Sequence, residues 1–492
     1  MNPTCSKRQE IVQSRREFLL KSGLGFGAVA LSQLLANPSP LTPLPAGEGR
    51  VREGSASALV AGGPLAPKPP HFPAKAHSVI FLFMQGGPSH IETFDPKPEL
   101  ARLDGAPLPD SFKDLDLAQI NTSDGKLMGS AVPFQKHGAS GLEISDLFLN
   151  LAQHADELAV IRSCYHNSFI HGPALSLMNS GSLLLGHPSV GSWIVYGLGC
   201  ESDNLPAYVA MTDSIFRNGS STFSSGFLPA VYQGTHLQTE GRAIQNLVPP
   251  PQVGLTQQRV ILDQVNRWNR QHRATRSDDS RLDARIANYE LAFRMQTAAP
   301  ELIDLSHETP AVRKLYGLDD EPTSRFGRMC LLARRMVERG VRYVHLVNND
   351  WDGHGDCVGN HRTQAQKTDR PIAGLITDLK QRGLLESTLL VWAGEFGRTP
   401  IMQGNRGRDH SPYGFSAWMA GGGVRGGKTI GATDDLGFKA IDDRVHVNDL
   451  HAAMLGLLGL NHEALAYLFE GRERRLTDVG GYGDLAGRLT QG

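Results

Sequence analysis

The chain has 492 residues, 40% of them hydrophobic and 20% charged, with 49 basic and 50 acidic side chains and a formal net charge of -1. That balance supports a sizeable globular core and carries no basic footprint of the kind nucleic acid or an anionic membrane requires, so no nucleic-acid partner is expected. Five cysteines without a CxxC pair indicate neither a disulfide scaffold nor a zinc ribbon.

At the N-terminus, Ser14-Arg15-Arg16-Glu17-Phe18-Leu19 and the weakly apolar run that follows it read as a twin-arginine export signal over residues 1–36. The run is too short and too rich in glycine to span a bilayer, so no transmembrane segment is expected in the mature protein. The implied location is periplasmic or extracellular. Residues 37–76, dominated by Pro, Ala, Gly and Ser, read as a disordered linker. The folded part is expected over 77–480, with 481–492 as a tail.

Val79–Met84 predicts a strand buried on both faces, ending in the turn Gln85-Gly86-Gly87-Pro88-Ser89-His90. Residues 144–163 predict a helix and then a short strand, and 206–211 a third strand. Between about 250 and 320 the pattern becomes long, charged and helical, which predicts a helical insertion. The alternation then resumes: a helix over 326–340 feeds a strand over 341–347, and a helix over 370–383 feeds a strand over 387–393. Phe415–Ala420 predicts another strand, and 447–460 a final helix with Asp449 near its start. Strands alternating with helices imply an α/β protein with a doubly wound, mostly parallel sheet.

In such a sheet ligands bind beyond the carboxyl ends of the strands, so polar clusters that follow strands mark the candidate site. Asn348–Asp356 offers Asp352 and His354, Gly394–Pro400 offers Glu395 and Arg398, and Gly407–Pro412 offers Asp409 and His410. Mixed imidazole and carboxylate donors suit zinc, manganese or iron better than calcium, so one or two divalent ions, zinc or manganese, are expected. They would polarise a phosphoryl or sulfuryl oxygen and activate water. Arg398 is expected to steady an anionic substrate, and His90 to join the cluster across the sheet. Glu92 and Asp95 read as turn chemistry. Ser168 and His171 stand where a helix begins, and unpaired N–H groups there favour a nucleophile or ligand. An imidazole can be nucleophile, ligand or general acid, and the residues leave these roles of His171 open.

The blocks GGPSHIETFDPKP, YELAFRMQ, LARRMVERGVRYVHL, WDGHGD, DLKQRGLLESTLLVWAGEFGRTP, GRDHSPYGFSAWMAGGG and VNDLHAAMLGLLGL together resemble the domain-of-unknown-function family 1501, over essentially all of 77–480. That family is sulfatase-like and is placed in the alkaline phosphatase superfamily. The resemblance implies a sheet of the alkaline phosphatase and sulfatase type, with Asp352, His354 and His410 as one ligand group and His171 about where the nucleophile belongs. Glu395 falls where relatives begin an Asp-His pair, with Phe396 in the histidine's place. Gly86-Gly87 stand where relatives commonly offer an aspartate, which His90 or Asp95 would have to replace. The Cys- or Ser-x-Pro-x-Arg segment of true sulfatases is missing, so the implied attacking group is metal-bound water. The function expected is an exported hydrolase of sulfate or phosphate esters, acting on an anionic small molecule or a polysaccharide. The alternative is a non-catalytic glycan-binding or scaffold protein that keeps the fold.

Overall fold

The computed structural model describes residues 63–112, 125–239, 252–274 and 280–491. The expected export signal, and the expected linker up to residue 62, lie outside the described residues.

The strands that build the site are β1 Ser78–Met84, β2 Ala159–Tyr165, β3 Tyr208–Thr212, β4 Thr235–His236, β5 Tyr343–Asn348, β6 Thr388–Ala393, β7 Gly397–Gln403, β8 Gly407–Ser411, β9 Phe415–Ala420, β10 Lys428–Ile430 and β11 Val445–His446. All but β7 and β8 share one nine-stranded sheet in the order β10-β2-β9-β6-β1-β5-β3-β4, with β11 also paired to β2. Within that sheet only β9 runs antiparallel to its neighbours. β1 is apolar from Val79 to Met84 because it lies between two parallel strands and is covered on both faces. Its register pairs Met84 with Asn348 of β5 and Phe83 with Ala393 of β6. The three central strands therefore end level with one another, and the residues just beyond them share one rim.

Side-chain alternation sorts the core into two layers. Phe81 and Phe83 pack with Trp193 and Ile194 of α2 (Val190–Leu198) and with Leu450 and Met454 of the last long helix, Val447–Leu457. Ile80 and Leu82, on the opposite face, pack with Met329 and Leu332 of Ser324–Glu338 and with Ile372 and Leu375 of Cys357–Gln381. This is the doubly wound arrangement that the alternation of strands and helices implies. In chain order the helices of nine or more residues, among the described residues, are α1 His171–Ser180, α2, α3 Leu255–Ala274, α4 Ser280–Ile303, α5 Ser324–Glu338, α6 Cys357–Gln381 and α7 Val447–Leu457. The expected helical insertion corresponds to α3 and α4.

Three expectations need correction. Residues 144–157 do not form an α-helix: a strand ends at Ser145, and 3-10 turns follow over Asp146–Phe148 and Leu151–Glu157. The Asp369 carboxylate accepts the backbone N–H groups of Asn150 and Leu151, at 2.9 and 2.8 Å, and so removes donors a continuous helix would need. Residues 63–76 are not a disordered linker, because their backbone is tied to the domain. Lys68 donates to Leu198, His71 to Gly459, and Lys75 and Ala76 to Leu457. Residues 481–492 are not a free tail: Leu485–Thr490 is a short helix whose Leu485 and Leu489 are fully buried in the core. The polar clusters after β6 lie in the antiparallel hairpin β7–β8, in which His410 faces Arg398.

Candidate metal centre

The sheet delivers side chains to its rim from four directions. The turn after β1 passes so close to the loop after β5 that a Cβ on Gly86 would lie 2.7 Å from the backbone nitrogens of Trp351 and Asp352. Its φ of 126 excludes ordinary side chains as well. Beyond β6, Glu395 is fully buried, and both its oxygens accept the Gly86 N–H at 3.0 Å. The hairpin β7–β8 then folds His410 over the same rim, and α1 points its first residue, His171, at it.

At the centre stands Asp352. Its Oδ1 lies 3.0 Å from His354 Nε2, 3.3 Å from His410 Nε2 and 2.7 Å from the Arg398 guanidinium. Its Oδ2 lies 3.1 Å from His171 Nε2 and 3.5 Å from Arg217. Burial opposes the charge of this carboxylate, but the hydrogen bond with His171 and the charge of Arg398 outweigh it and hold Asp352 well below the usual range.

The ring nitrogens of His354 and His410 carry the metal argument. His410 Nδ1 lies 2.8 Å from the Phe169 carbonyl, which only accepts, so that nitrogen bears the proton. Burial lowers the pKa of His410, so the ring is neutral and its Nε2 presents a lone pair. His354 places Nδ1 2.6 Å from Gln403 Oε1 and turns Nε2 toward the same point. The two Nε2 atoms face one another at 2.9 Å, with Asp352 Oδ1 closing the triangle. Two imidazole nitrogens and a carboxylate oxygen thus converge on one point, a donor set that a divalent cation takes. Ligands about 2.0–2.1 Å from a tetrahedral ion sit roughly 3.3 Å apart, close to these edges. Outward hydrogen bonds from each ring's second nitrogen are how histidine ligands are oriented. The donor set therefore fits a divalent ion. Asp409 stands beside it: its carboxylate, His354 and His410 offer donor atoms all within 4.8 Å of one another.

His171 has a different environment. Nδ1 lies 2.7 Å from Glu395 and Nε2 3.1 Å from Asp352. Burial alone would lower its pKa, but hydrogen bonds to both carboxylates raise it, favouring the imidazolium. Phe396, fully buried, packs its ring against both His171 and His410, with centroids 4.9 and 4.5 Å away.

Seven of the eight expected site residues thus share one cluster: His171, Asp352, His354, Glu395, Arg398, Asp409 and His410. His90 does not join it. Its Nε2 is committed to the Gly437 carbonyl at 2.7 Å, beneath the rim. Arg398 is present but enclosed. It donates to the carbonyls of Gly86, Gly87 and Arg408 and to Asp352, which uses four of its five N–H groups, and its side chain is fully buried away from a substrate. Glu92 and Asp95 are structural, as expected, with Glu92 in a buried pair with Arg408 and Asp95 paired to Lys97. Three participants escaped the sequence reading: Gln403, the Phe169 carbonyl and Arg217. Arg217 follows β3, so the rule that found the other clusters would also have found it.

The family model described as "Protein of unknown function (DUF1501)" matches residues 76–483. The chain belongs to the DUF1501 family. No curated protein matches this DUF1501 chain. Among solved structures it is similar to the sulfatase PsFucS1 from Pseudoalteromonas sp., with 11% identity, TM-score 0.35, and 79% of this chain and 68% of that chain covered. It is also similar to the lipoteichoic acid synthase LtaP from Listeria monocytogenes, with 8% identity, TM-score 0.34 and coverage of 80% and 76%. A third likeness is to the alkaline phosphatase from the Antarctic bacterium TAB5, with 10% identity, TM-score 0.33 and coverage of 79% and 99%. The chemistry of this DUF1501 chain therefore rests on its own residues.

Proposed function

We propose that this DUF1501 protein is a metal-dependent hydrolase of sulfate or phosphate esters, with one divalent ion held by Asp352, His354 and His410. The observation that supports this is the pair of inward-facing Nε2 atoms set against Asp352 Oδ1. A bound ion, zinc or manganese by the donor set, would polarise an ester oxygen and lower the pKa of a water. The remaining residues divide the work. Arg398 holds Asp352 and the glycine turn in place. Arg217, with a quarter of its side chain exposed and a single long contact of 3.5 Å to Asp352, is the cation with donors to offer an oxyanion. His171 holds a proton between Asp352 and Glu395 and is the candidate acid for the leaving alcohol.

The test is metal analysis of the purified protein beside a panel of aryl sulfates and aryl phosphates. The reading expects about one ion per chain and turnover that His354→Ala abolishes. Metal-free protein that turns over neither ester overturns it.

Among the described residues no helix is long and apolar enough to cross a membrane. We read the Arg15-Arg16 segment as an export signal on its residue pattern. Replacing both arginines by lysine should then leave the protein in the cytoplasmic fraction, and unchanged export would refute that reading.

A further inference from the structure

The loop that carries Arg217 to the centre begins at the end of β3, and a row of buried polar side chains fixes it there. Gln85, Asn348 and Asn349, at the ends of β1 and β5, are at most 2% exposed. Two groups that can only donate set the direction of every hydrogen bond in this row. The Trp351 indole N–H donates to Asn348 Oδ1 at 2.7 Å, so the Asn348 amide turns its NH2 group to the Asp213 carboxylate at 2.5 Å. The Asn349 backbone N–H donates to the other Asp213 oxygen at 3.1 Å, and the Asn349 side chain donates to that oxygen at 2.8 Å and to Thr212 Oγ1 at 2.9 Å. Asn349 then has its carbonyl left for Gln85, whose NH2 group donates to it and to the Ile215 carbonyl at 3.4 Å. The Gln85 oxygen is thereby left to accept the Arg217 backbone N–H, at 3.2 Å.

We infer that Gln85 is a positioning residue, which holds the Arg217 backbone so that the guanidinium reaches the Asp352 cluster. This role rests on the proposed function above, in which Arg217 meets the oxyanion. Gln85 is itself fixed, its N–H donating to the Asn348 carbonyl at 2.8 Å and its carbonyl accepting the Trp351 N–H at 3.2 Å. It directly precedes Gly86, whose N–H the Glu395 carboxylate accepts. Arg217 is thus tied to the same turn that locates Glu395 and Arg398. A long side chain with a single contact of 3.5 Å to Asp352 loses rotamer freedom when it meets an anion, and that ordering opposes binding. A backbone held in advance by a hydrogen-bonded buried network leaves less to order. On either side, Phe216 packs on Phe223 and Asn218 donates to the Gly172 carbonyl, so the loop stays attached without Gln85, and what Gln85 adds is the direction of the residue between them.

The test is a double-mutant cycle read as affinity for inorganic phosphate, by calorimetry on the full chain supplied with zinc. Arg217→Ala is expected to weaken phosphate binding by more than about tenfold, as loss of a charged hydrogen bond does. Gln85→Met keeps a neutral side chain of similar length and removes its acceptor, and is expected to weaken phosphate binding about tenfold. Zinc affinity should stay unchanged, and Gln85→Met should cause no further loss when Arg217 is already replaced by alanine. Should Gln85→Met not fold, Thr212→Val takes its place in the cycle. It keeps the shape of the side chain but frees the loop from the bonds of Thr212 Oγ1 with the Ser214 N–H and the Ile215 carbonyl, with a loss of about threefold expected. Unchanged phosphate binding, a loss that recurs in full beside Arg217→Ala, or an equal fall in zinc affinity would overturn the positioning role and leave Arg217 as the oxyanion contact. If the parent protein binds no phosphate, or Arg217→Ala binds it as tightly, the oxyanion contact itself fails and the positioning role falls with it.

Discussion

Two clusters of the same residue types lie within a few residues of each other in the hairpin β7–β8, and they behave oppositely. Arg408 turns inward and meets Glu92, both fully buried, through three hydrogen bonds of 2.7 to 3.2 Å. Burial pushes Glu92 up, but the Arg408 charge and its hydrogen bonds outweigh this and leave it below its usual value. The neighbouring His361 accepts the Ser89 N–H at 2.7 Å, and burial lowers it to about 4. Every charge there has its partner. One and two residues after Arg408, Asp409 and His410 face the rim, where His354 and His410 turn Nε2 to one point beside Asp352 and the nearby cation, Arg398, contacts the carboxylate and not the rings. What separates structure from site is thus whether the groups satisfy one another.

The comparison breaks most visibly at the buried pair. Glu92→Gln should strand the Arg408 charge and cost roughly 3–5 kcal/mol of stability, read by denaturant unfolding. His354→Ala should do the reverse. Its side chain is 39% exposed, so stability should move by less than about 1 kcal/mol, whereas zinc affinity should fall by more than roughly 100-fold. If both substitutions unfold the protein equally, the distinction between the clusters is lost.

A third buried group sharpens the point. His345, on β5, is packed against Phe81, and neither ring nitrogen has a partner. Burial lowers its pKa to about 3, so the folded protein keeps it neutral while the unfolded chain protonates near 6.5. The unfolded state then binds the extra proton, and the stability this residue contributes above pH 6.5 is lost as pH falls toward 3. Between pH 7 and 5 that amounts to about 2 kcal/mol, and His345→Phe should remove this part of the acid sensitivity. An unchanged pH profile in the variant would show that the ring is not held neutral. The smallest expected effect is at Gln403, which orients His354: Gln403→Ala should weaken zinc binding about tenfold with little change in unfolding.

Much of this was legible in the sequence, for a physical reason. Strands buried on both faces are continuous apolar runs, so β1, β5 and β6 were visible, and a parallel sheet puts its ligands beyond the strand ends, so Asp352, His354, Glu395 and His410 could be found. Roles were harder, because they depend on partners far away in the chain. Nothing near His90 signals that Gly437, 347 residues later, will take its ring nitrogen. Arg398 looked like a substrate clamp until the Gly86, Gly87 and Arg408 carbonyls accounted for its donors. The 3-10 turns before β2 were read as a helix because their apolar spacing is helical, and the competing acceptor, Asp369, lies more than 200 residues away.

The most direct test is anomalous scattering from crystals of the protein grown with zinc or manganese. A single peak within about 2.0–2.3 Å of Asp352 Oδ1, His354 Nε2 and His410 Nε2 is the predicted result. An empty triangle, with the metal bound elsewhere or not at all, would contradict the account.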